Sequence, residues 1–173
     1  VWSRTPIEDP TLGGLPLHVV PDGELMRMGE ARKAVGWWLI GSARAMLNLA
    51  RQHALDRVQF GKPIASFQAV RHRLAETLVA IEGAEATLSL PSSDSPDLTA
   101  MLAKAAAGKA ALLAAKHCQQ VLGGIGFTAE HDLHVHVKRA LVLDGLLGSS
   151  RELSRKAGAG LRARKSVPRL AEL

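Results

Sequence analysis

The sequence is poor in aromatic residues, which make up only 3% of its 173 positions, whereas alanine, leucine and arginine are abundant. The abundant residues lose little conformational freedom in a helix, while aromatic and β-branched residues favour sheets. This shortage argues against a mainly β protein and predicts a helical one. At this length the chain can form one domain with its own hydrophobic core.

Cysteine and long apolar runs are also scarce. Cys118 is the single cysteine, which excludes an internal disulfide and a cysteine-based zinc cluster and fits a reducing cytoplasm. No uninterrupted apolar run reaches about 18 residues, so no membrane span is expected. The sequence begins at Val1 without a signal-peptide pattern. We therefore expect a piece of a longer cytoplasmic protein.

Acidic residues are outnumbered, because 22 lysines and arginines face 16 aspartates and glutamates, and the net charge is +6. Such an excess suits nucleic acid, a membrane surface or a phosphate-bearing ligand. Much of it lies in the C-terminal stretch from Arg155 to Arg169, so we predict no nucleic-acid binding.

His134 and His136 fall on different faces of a helix, and we therefore predict no metal site.

Prolines and glycines are concentrated at the front of the chain, where residues 1–29 predict short strands and turns and read as the end of a β domain or a linker. Residues 30–165 show helical spacing of apolar positions and predict a helical-bundle domain, and residues 166–173 form a tail. The fold class is mainly α, an up-and-down bundle of four to five helices preceded by a short β or irregular segment. The predicted helices cover residues 30–58, 65–88, 97–122, 132–143 and 150–164.

Two motifs interrupt this helical pattern, "RVQFGKPI" from Arg57 and "QVLGGIGF" from Gln120. Taken singly, the first reads as a helix end whose arginine suits the helix dipole, and the second as a glycine turn. In a functional interpretation, the planar guanidinium of Arg57 binds a phosphate group of a ligand. Phe60 then packs against an apolar part of the same ligand. Spacing alone leaves both readings open.

Together, and with Phe67 and Gln68 between them, the two motifs resemble the C-terminal helical domain of the acyl-CoA dehydrogenase family over residues 16–161. Members of this family are flavoproteins that remove a proton from the α-carbon and a hydride from the β-carbon of an acyl-CoA thioester and pass the hydride to FAD. The resemblance implies that the corner contacts the FAD of a neighbouring subunit. It places Arg57 at the diphosphate and Phe60 near the adenosine, supported by Gln68, with a second patch formed by Gln120, Gly123 and Gly124.

The resemblance does not extend to the catalytic base. The family usually places a glutamate in the loop after the fourth helix, where "LLGSSR" puts Leu147, and leucine cannot accept a proton. Other members carry the glutamate on the first helix, at the position of Ala31. Glu30 is one residue away and therefore about 100° around the helix. Asp144 is the other candidate, although a lone aspartate is more often a cap or a buried hydrogen-bond acceptor.

The sequence therefore predicts a subunit that completes the FAD site of a partner and lacks its own base. Some actinobacterial, steroid-type members resemble heteromers of two unlike subunits, so we expect a hetero-oligomer, as a tetramer, with a homologous dehydrogenase subunit and an acyl-CoA substrate. Two alternatives remain at this stage. One is an active homomeric acyl-CoA dehydrogenase that uses Glu30, and the other is a non-enzymatic helical module for assembly or nucleic-acid binding.

Overall fold

The computed structural model describes residues 5–6, 18–19, 28–90 and 95–168, and the described chain is a helical bundle. The predicted mainly α fold is confirmed. Two short strands, β1 (Thr5–Pro6) and β2 (His18–Val19), pair antiparallel ahead of it, and the other positions of the front segment and residues 169–173 lie outside the described residues. The helices are α1 (Met28–Asp56), α2 (Gln68–Leu88), α3 (Pro96–Leu122), α4 (Leu133–Gly145) and α5 (Ser150–Arg164).

The first three helices alternate in direction. Lys33, near the start of α1, donates from Nζ to the carbonyl oxygen of Leu90 beyond the end of α2, at 3.1 Å. Gly29 at the start of α1 faces Asp97 and Ala100 at the start of α3. Helices α1 and α3 therefore run parallel, and they pack against each other more extensively than any other pair. Their C-terminal ends lie at the same end of the bundle.

Helix α3 is the centre of the core. Its alanines are almost all buried, and small side chains let the neighbouring helices approach closely. It is long and apolar enough to cross a membrane, with a mean hydropathy of 1.4, yet 67% of that stretch is buried inside the bundle. Burial there also raises the pKa of the Cys118 thiol to about 12. These features are typical of a core helix with an unreactive cysteine.

The last two helices both run antiparallel to α3. Helix α4 begins beside the segment that follows α3 and ends near Gly108, and α5 starts against the same glycine. At its other end Arg164 donates to Ser95 Oγ at 3.3 Å. Helix α5 thus continues in the direction of α4 instead of reversing. The turn between them makes this possible, because Leu147 and Gly148 have φ values of +59° and +101°.

His136 on α4 should make the protein less stable in mild acid. Burial, and next the positive charge of Arg139, lower the pKa of His136 below its ordinary 6.5, with Asp132 opposing. The unfolded chain therefore binds more protons, so the free energy of unfolding should fall as pH drops below 6.5. We expect His136→Gln to weaken this dependence in urea titrations at pH 7.5 and 5.5. The matched variant His72→Gln, on the exposed face of α2, should not.

Candidate functional site

The corner after α1 is a tight β-hairpin. Helix α1 ends at Asp56, two residues earlier than predicted, because β3 (Val58–Gln59) pairs antiparallel with β4 (Lys62–Pro63). The two loop residues, Phe60 and Gly61, have φ values of +54° and +77°, which is the geometry of a type I′ turn. Strands of two residues carry no readable periodicity, so sequence analysis missed the hairpin.

Phe60 is turned outward by this loop and is 91% exposed. It meets Phe67 edge-to-face, with ring centroids 6.2 Å apart, and Lys62 Nζ lies 4.7 Å from the centre of the Phe67 ring. A bulky residue in the left-handed region is strained, and such strain clusters at ligand sites and switches. An exposed ring held by a rigid turn is a suitable surface for an apolar group of a ligand.

The backbone of Arg57 is held by hydrogen bonds, whereas its side chain is exposed. Its amide donates to His53 O at 2.9 Å, and its carbonyl accepts from Ile64 N at 2.8 Å. The exposed guanidinium makes no hydrogen bond or ion pair within the described part of the chain. Gln68, in the first turn of α2, is likewise exposed. A planar, unneutralised fork on a fixed backbone can bind a phosphate through two hydrogen bonds.

The second motif ends α3 at Leu122 and continues as a 3₁₀ helix over Gly123–Phe127. Gly123 has φ +67°, and the space where a Cβ would lie on Gly123 or Gly124 holds no atom within 4 Å. The backbone here is open to close approach by a ligand. Gln120, in the last turn of α3, is exposed beside it.

Gln119 and Gly126 are structural residues of this motif that sequence analysis missed. Gln119 Nε2 donates to Gly126 O at 3.4 Å, and a Cβ on Gly126 would lie only 2.8 Å from the Gln119 carbonyl oxygen. The close approach requires glycine. Of the two adjacent glutamines, one therefore holds the turn and the other points to solvent, a division that only the packing reveals.

The two motifs lie at the same end of the bundle, because α1 and α3 run parallel. Burial first, and then electrostatic interactions with the nearby His131 and Arg57, lower the pKa of His53. The chain after the glycine turn therefore lies beside the last turn of α1. The structure thus places all six of the residues expected to contact FAD at this end of the bundle.

This end also exposes several large apolar side chains. Phe127 is 67% exposed and adds to the more exposed Phe60, and Val58 and Ile125 are exposed as well. Contiguous exposed apolar side chains mark interaction sites. Phe127 is not among the predicted site residues, although it ends the "GGIGF" motif.

The loop of residues 146–149, which the resemblance equates with the family's usual base position, lies near the other end of α1. Arg32 Nε donates to Leu147 O at 3.2 Å, which ties this loop to the first turns of α1. Arg32 and Asp56 are 24 residues apart on one helix and therefore separated by about 36 Å. The Leu147 side chain packs against the core. The corner and the loop are thus remote from each other within one chain.

Two buried groups hold this loop in shape. Lys104 has no solvent exposure, and its Nζ donates to Asp144 O at 2.6 Å and to Gly148 O at 2.5 Å. Burial lowers the pKa of Lys104, and the nearby Asp144 carboxylate opposes that shift. Asp144 Oδ1 in turn accepts from Ser150 N at 3.0 Å. The Asp144 carboxylate is therefore engaged in holding the start of α5.

Glu30 is exposed in the first turn of α1. It lines an open cavity of about 330 Å³ with Lys33 and Asp97. Within the described ranges no group of three or more histidines, cysteines, aspartates or glutamates could hold a metal ion.

Comparison with known proteins agrees with this architecture. The family described as acyl-CoA dehydrogenase, C-terminal domain, matches residues 25–157. The chain is 42% identical to acyl-CoA dehydrogenase IpdE2 of Mycobacterium tuberculosis over 117 residues, covering 68% of this chain and 37% of that protein. It is 43% identical to FadE34 of the same organism over 138 residues, covering 73% of this chain and 19% of that protein.

Solved structures show the same fold. Butyryl-CoA dehydrogenase from Megasphaera elsdenii superposes with a TM-score of 0.71 at 26% identity, over 79% of this chain and 37% of that one. The Tcur3481–Tcur3483 steroid ACAD superposes with a TM-score of 0.77 at 23% identity, over 96% of this chain and 50% of that one. A glutaryl-CoA dehydrogenase from Mycobacterium smegmatis with the same fold was solved in complex with FADH2.

The match is extensive along this chain but partial along its relatives. The chain spans about a third of the length of IpdE2 and a fifth of that of FadE34. Most of the matched region is the helical bundle that carries both motifs. The chain therefore belongs to the acyl-CoA dehydrogenase family and contains its C-terminal domain.

Proposed function

We propose that this chain is the FAD-completing, base-less subunit of a heteromeric acyl-CoA dehydrogenase. Leucine at position 147, where the family usually has the catalytic glutamate, carries the base-less part of this proposal, and the separation of about 36 Å along α1 between the corner and the Leu147 loop carries the FAD-completing part. A catalytic base must come within hydrogen-bond reach of the proton that it removes. The corner therefore serves an active site other than the one beside Leu147, and that active site belongs to a neighbouring subunit.

The exposed corner fits FAD. The Arg57 guanidinium is free to hold the diphosphate, and the exposed Phe60 ring offers a surface for the adenosine. The open backbone at Gly123 and Gly124 allows close contact, with Gln120 and Gln68 in reach as hydrogen-bonding groups at the same end. FAD bound there would accept the hydride from the β-carbon of an acyl-CoA held by the partner.

The role of this chain is then to bind and orient the cofactor, while the partner contributes the carboxylate that removes the α-proton. The likeness to a steroid ACAD that carries two gene designations supports an unlike partner and a steroid-type acyl group. In this assignment residues 1–29 are the end of a β domain or a linker, residues 30–165 the FAD-binding bundle and residues 166–173 a tail. The assembly is a cytoplasmic heterotetramer.

An active homomer that uses Glu30 is the second candidate. The observation in its favour is the cavity of about 330 Å³ that Glu30 lines at the start of α1. Lys33 and Asp97 also line that cavity. An acyl chain bound there would therefore lie beside the Asp97 carboxylate and the Lys33 ammonium. This candidate requires flavin reduction by an acyl-CoA in the absence of any other subunit.

The flavin content of purified samples distinguishes the two candidates. We expect the full-length subunit alone to carry little flavin, and its complex with the partner dehydrogenase subunit to carry FAD and to reduce it with an acyl-CoA. Flavin absorbance and its bleaching by substrate under anaerobic conditions are the measurements. If the subunit alone binds stoichiometric flavin and reduces it, and Glu30→Gln abolishes that reduction, the homomer is correct and the heteromer is not.

A further inference from the structure

A groove on the side of the bundle, between α1 and α2, contains none of the six residues expected to contact FAD. Its volume is about 410 Å³. Four apolar side chains form much of its surface, and three arginines and Asn48 border them. The apolar members are Leu47, Leu74, Ala75 and Leu78, and the arginines are Arg44, Arg51 and Arg71.

The three arginines differ in whether they form ion pairs within the chain. Arg44 Nη2 pairs with Glu85 and donates to Glu82 Oε1 at 2.9 Å, and both contacts raise the Arg44 pKa. The side chains of Arg51 and Arg71 are exposed and make no hydrogen bond or ion pair within the described ranges. One end of the groove is therefore neutralised within the chain, and the other end presents two free cations over apolar side chains.

The groove is long enough to hold about two turns of an α-helix. Arg44 and Arg51 are seven residues apart on α1, which spans about 10 Å or two helical turns. Leu74 and Leu78 are one turn apart on α2 and line the same valley. An amphipathic helix that lays its apolar face into such a groove contacts it through residues three or four positions apart.

We propose that this groove docks an acidic amphipathic helix of the unlike subunit, an inference that rests on the proposed heteromer. Charge complementarity selects an acidic occupant, because Arg51 and Arg71 have no counter-ion among the described residues. A second copy of this chain is a poor occupant, since Glu82 and Glu85 of its α2 are already paired with Arg44.

The position of the groove also favours the unlike subunit. Arg51 precedes the end of α1 by five residues, and Arg71 lies in the first turn of α2. The cationic end of the groove is thus close to the hairpin that carries Phe60. A partner that covers the FAD corner can extend along the same side of the bundle into the groove.

Defined peptides test the proposal without flavin. Three fluorescent peptides of about 20 residues are titrated with the full-length subunit at low salt and followed by anisotropy. The first is an acidic helix with leucines on one face, the second replaces its glutamates with lysines, and the third scrambles the first so that no apolar face remains. We expect the first peptide to bind at least tenfold more tightly than either of the others.

A charge reversal provides the decisive comparison. The double variant Arg51→Glu/Arg71→Glu should reverse the preference between the two helical peptides. It should bind the lysine peptide at least tenfold more tightly than the acidic one. Arg151→Glu/Arg155→Glu changes the net charge equally on the exposed face of α5 and should retain the wild-type preference. Equal binding of the acidic and scrambled peptides, or an unchanged preference after reversal in the groove, would overturn the proposal. Neither result would alter the flavin test.

Discussion

Replacing Arg57 with alanine should remove most of the FAD from the assembled dehydrogenase while leaving this subunit folded. The guanidinium is exposed and makes no hydrogen bond or ion pair with the described residues, so its loss breaks no contact inside the bundle. Hydrogen bonds to charged groups contribute about 1.5–3 kcal/mol. The FAD dissociation constant should therefore rise roughly 10- to 100-fold, measured by titrating FAD into the flavin-free complex and following flavin fluorescence.

Two further variants make this result specific. Arg57→Lys keeps the charge but loses the planar fork, so its FAD affinity should lie between those of wild type and Arg57→Ala. Arg155→Ala removes an exposed arginine from α5 and should leave FAD binding unchanged. Retention of wild-type FAD affinity by Arg57→Ala would contradict the assignment of the corner to the cofactor.

Replacing Lys104 with methionine should destabilise the bundle by about 2–3 kcal/mol. The substitution leaves the carbonyl oxygens of Asp144 and Gly148 without their donor, and each buried unsatisfied group costs about 1–3 kcal/mol. The Asp144 carboxylate also loses a nearby positive charge. Relief of the desolvation that lowers the Lys104 pKa offsets part of this loss.

Urea titration of the full-length subunit measures the effect as a lower midpoint with an unchanged slope. Lys109→Met is the matched control, because Lys109 is exposed on the same helix and its loss should cost less than about 0.5 kcal/mol. If both variants unfold at the same urea concentration, Lys104 does not hold the loop. Hydrogen exchange at the amides of residues 146–149 should accelerate in Lys104→Met but not in the control.

The helices were predictable because their signals are local. Alanine-rich and leucine-rich stretches with a period near 3.6 residues specify helices wherever they pack, and the predicted bounds differ from those observed by three residues or fewer. The end of α3 was predictable for a similar reason, since glycines at positions 123 and 124 cannot extend a helix cheaply. The two motifs also carry the family resemblance within short, contiguous stretches of chain.

The local form of the corner was not predictable in the same way. A type I′ turn usually uses asparagine, aspartate or glycine, and here Phe60 occupies its first central position. The surrounding hairpin and the contact with Phe67 hold that residue in the left-handed region. Its outward orientation is therefore a product of the fold and not of the intrinsic preference of phenylalanine.

Residue order and composition alone thus determined the helical class, the two motifs and the presence of leucine at position 147. Tertiary packing decided which charged groups are buried, as for Lys104, and which are free, as for Arg51 and Arg71. It also decided that the hairpin corner after α1 and the Leu147 loop lie about 36 Å apart along α1. Distances between residues remote in the chain depend on how helices align, and a local pattern contains no information about that alignment.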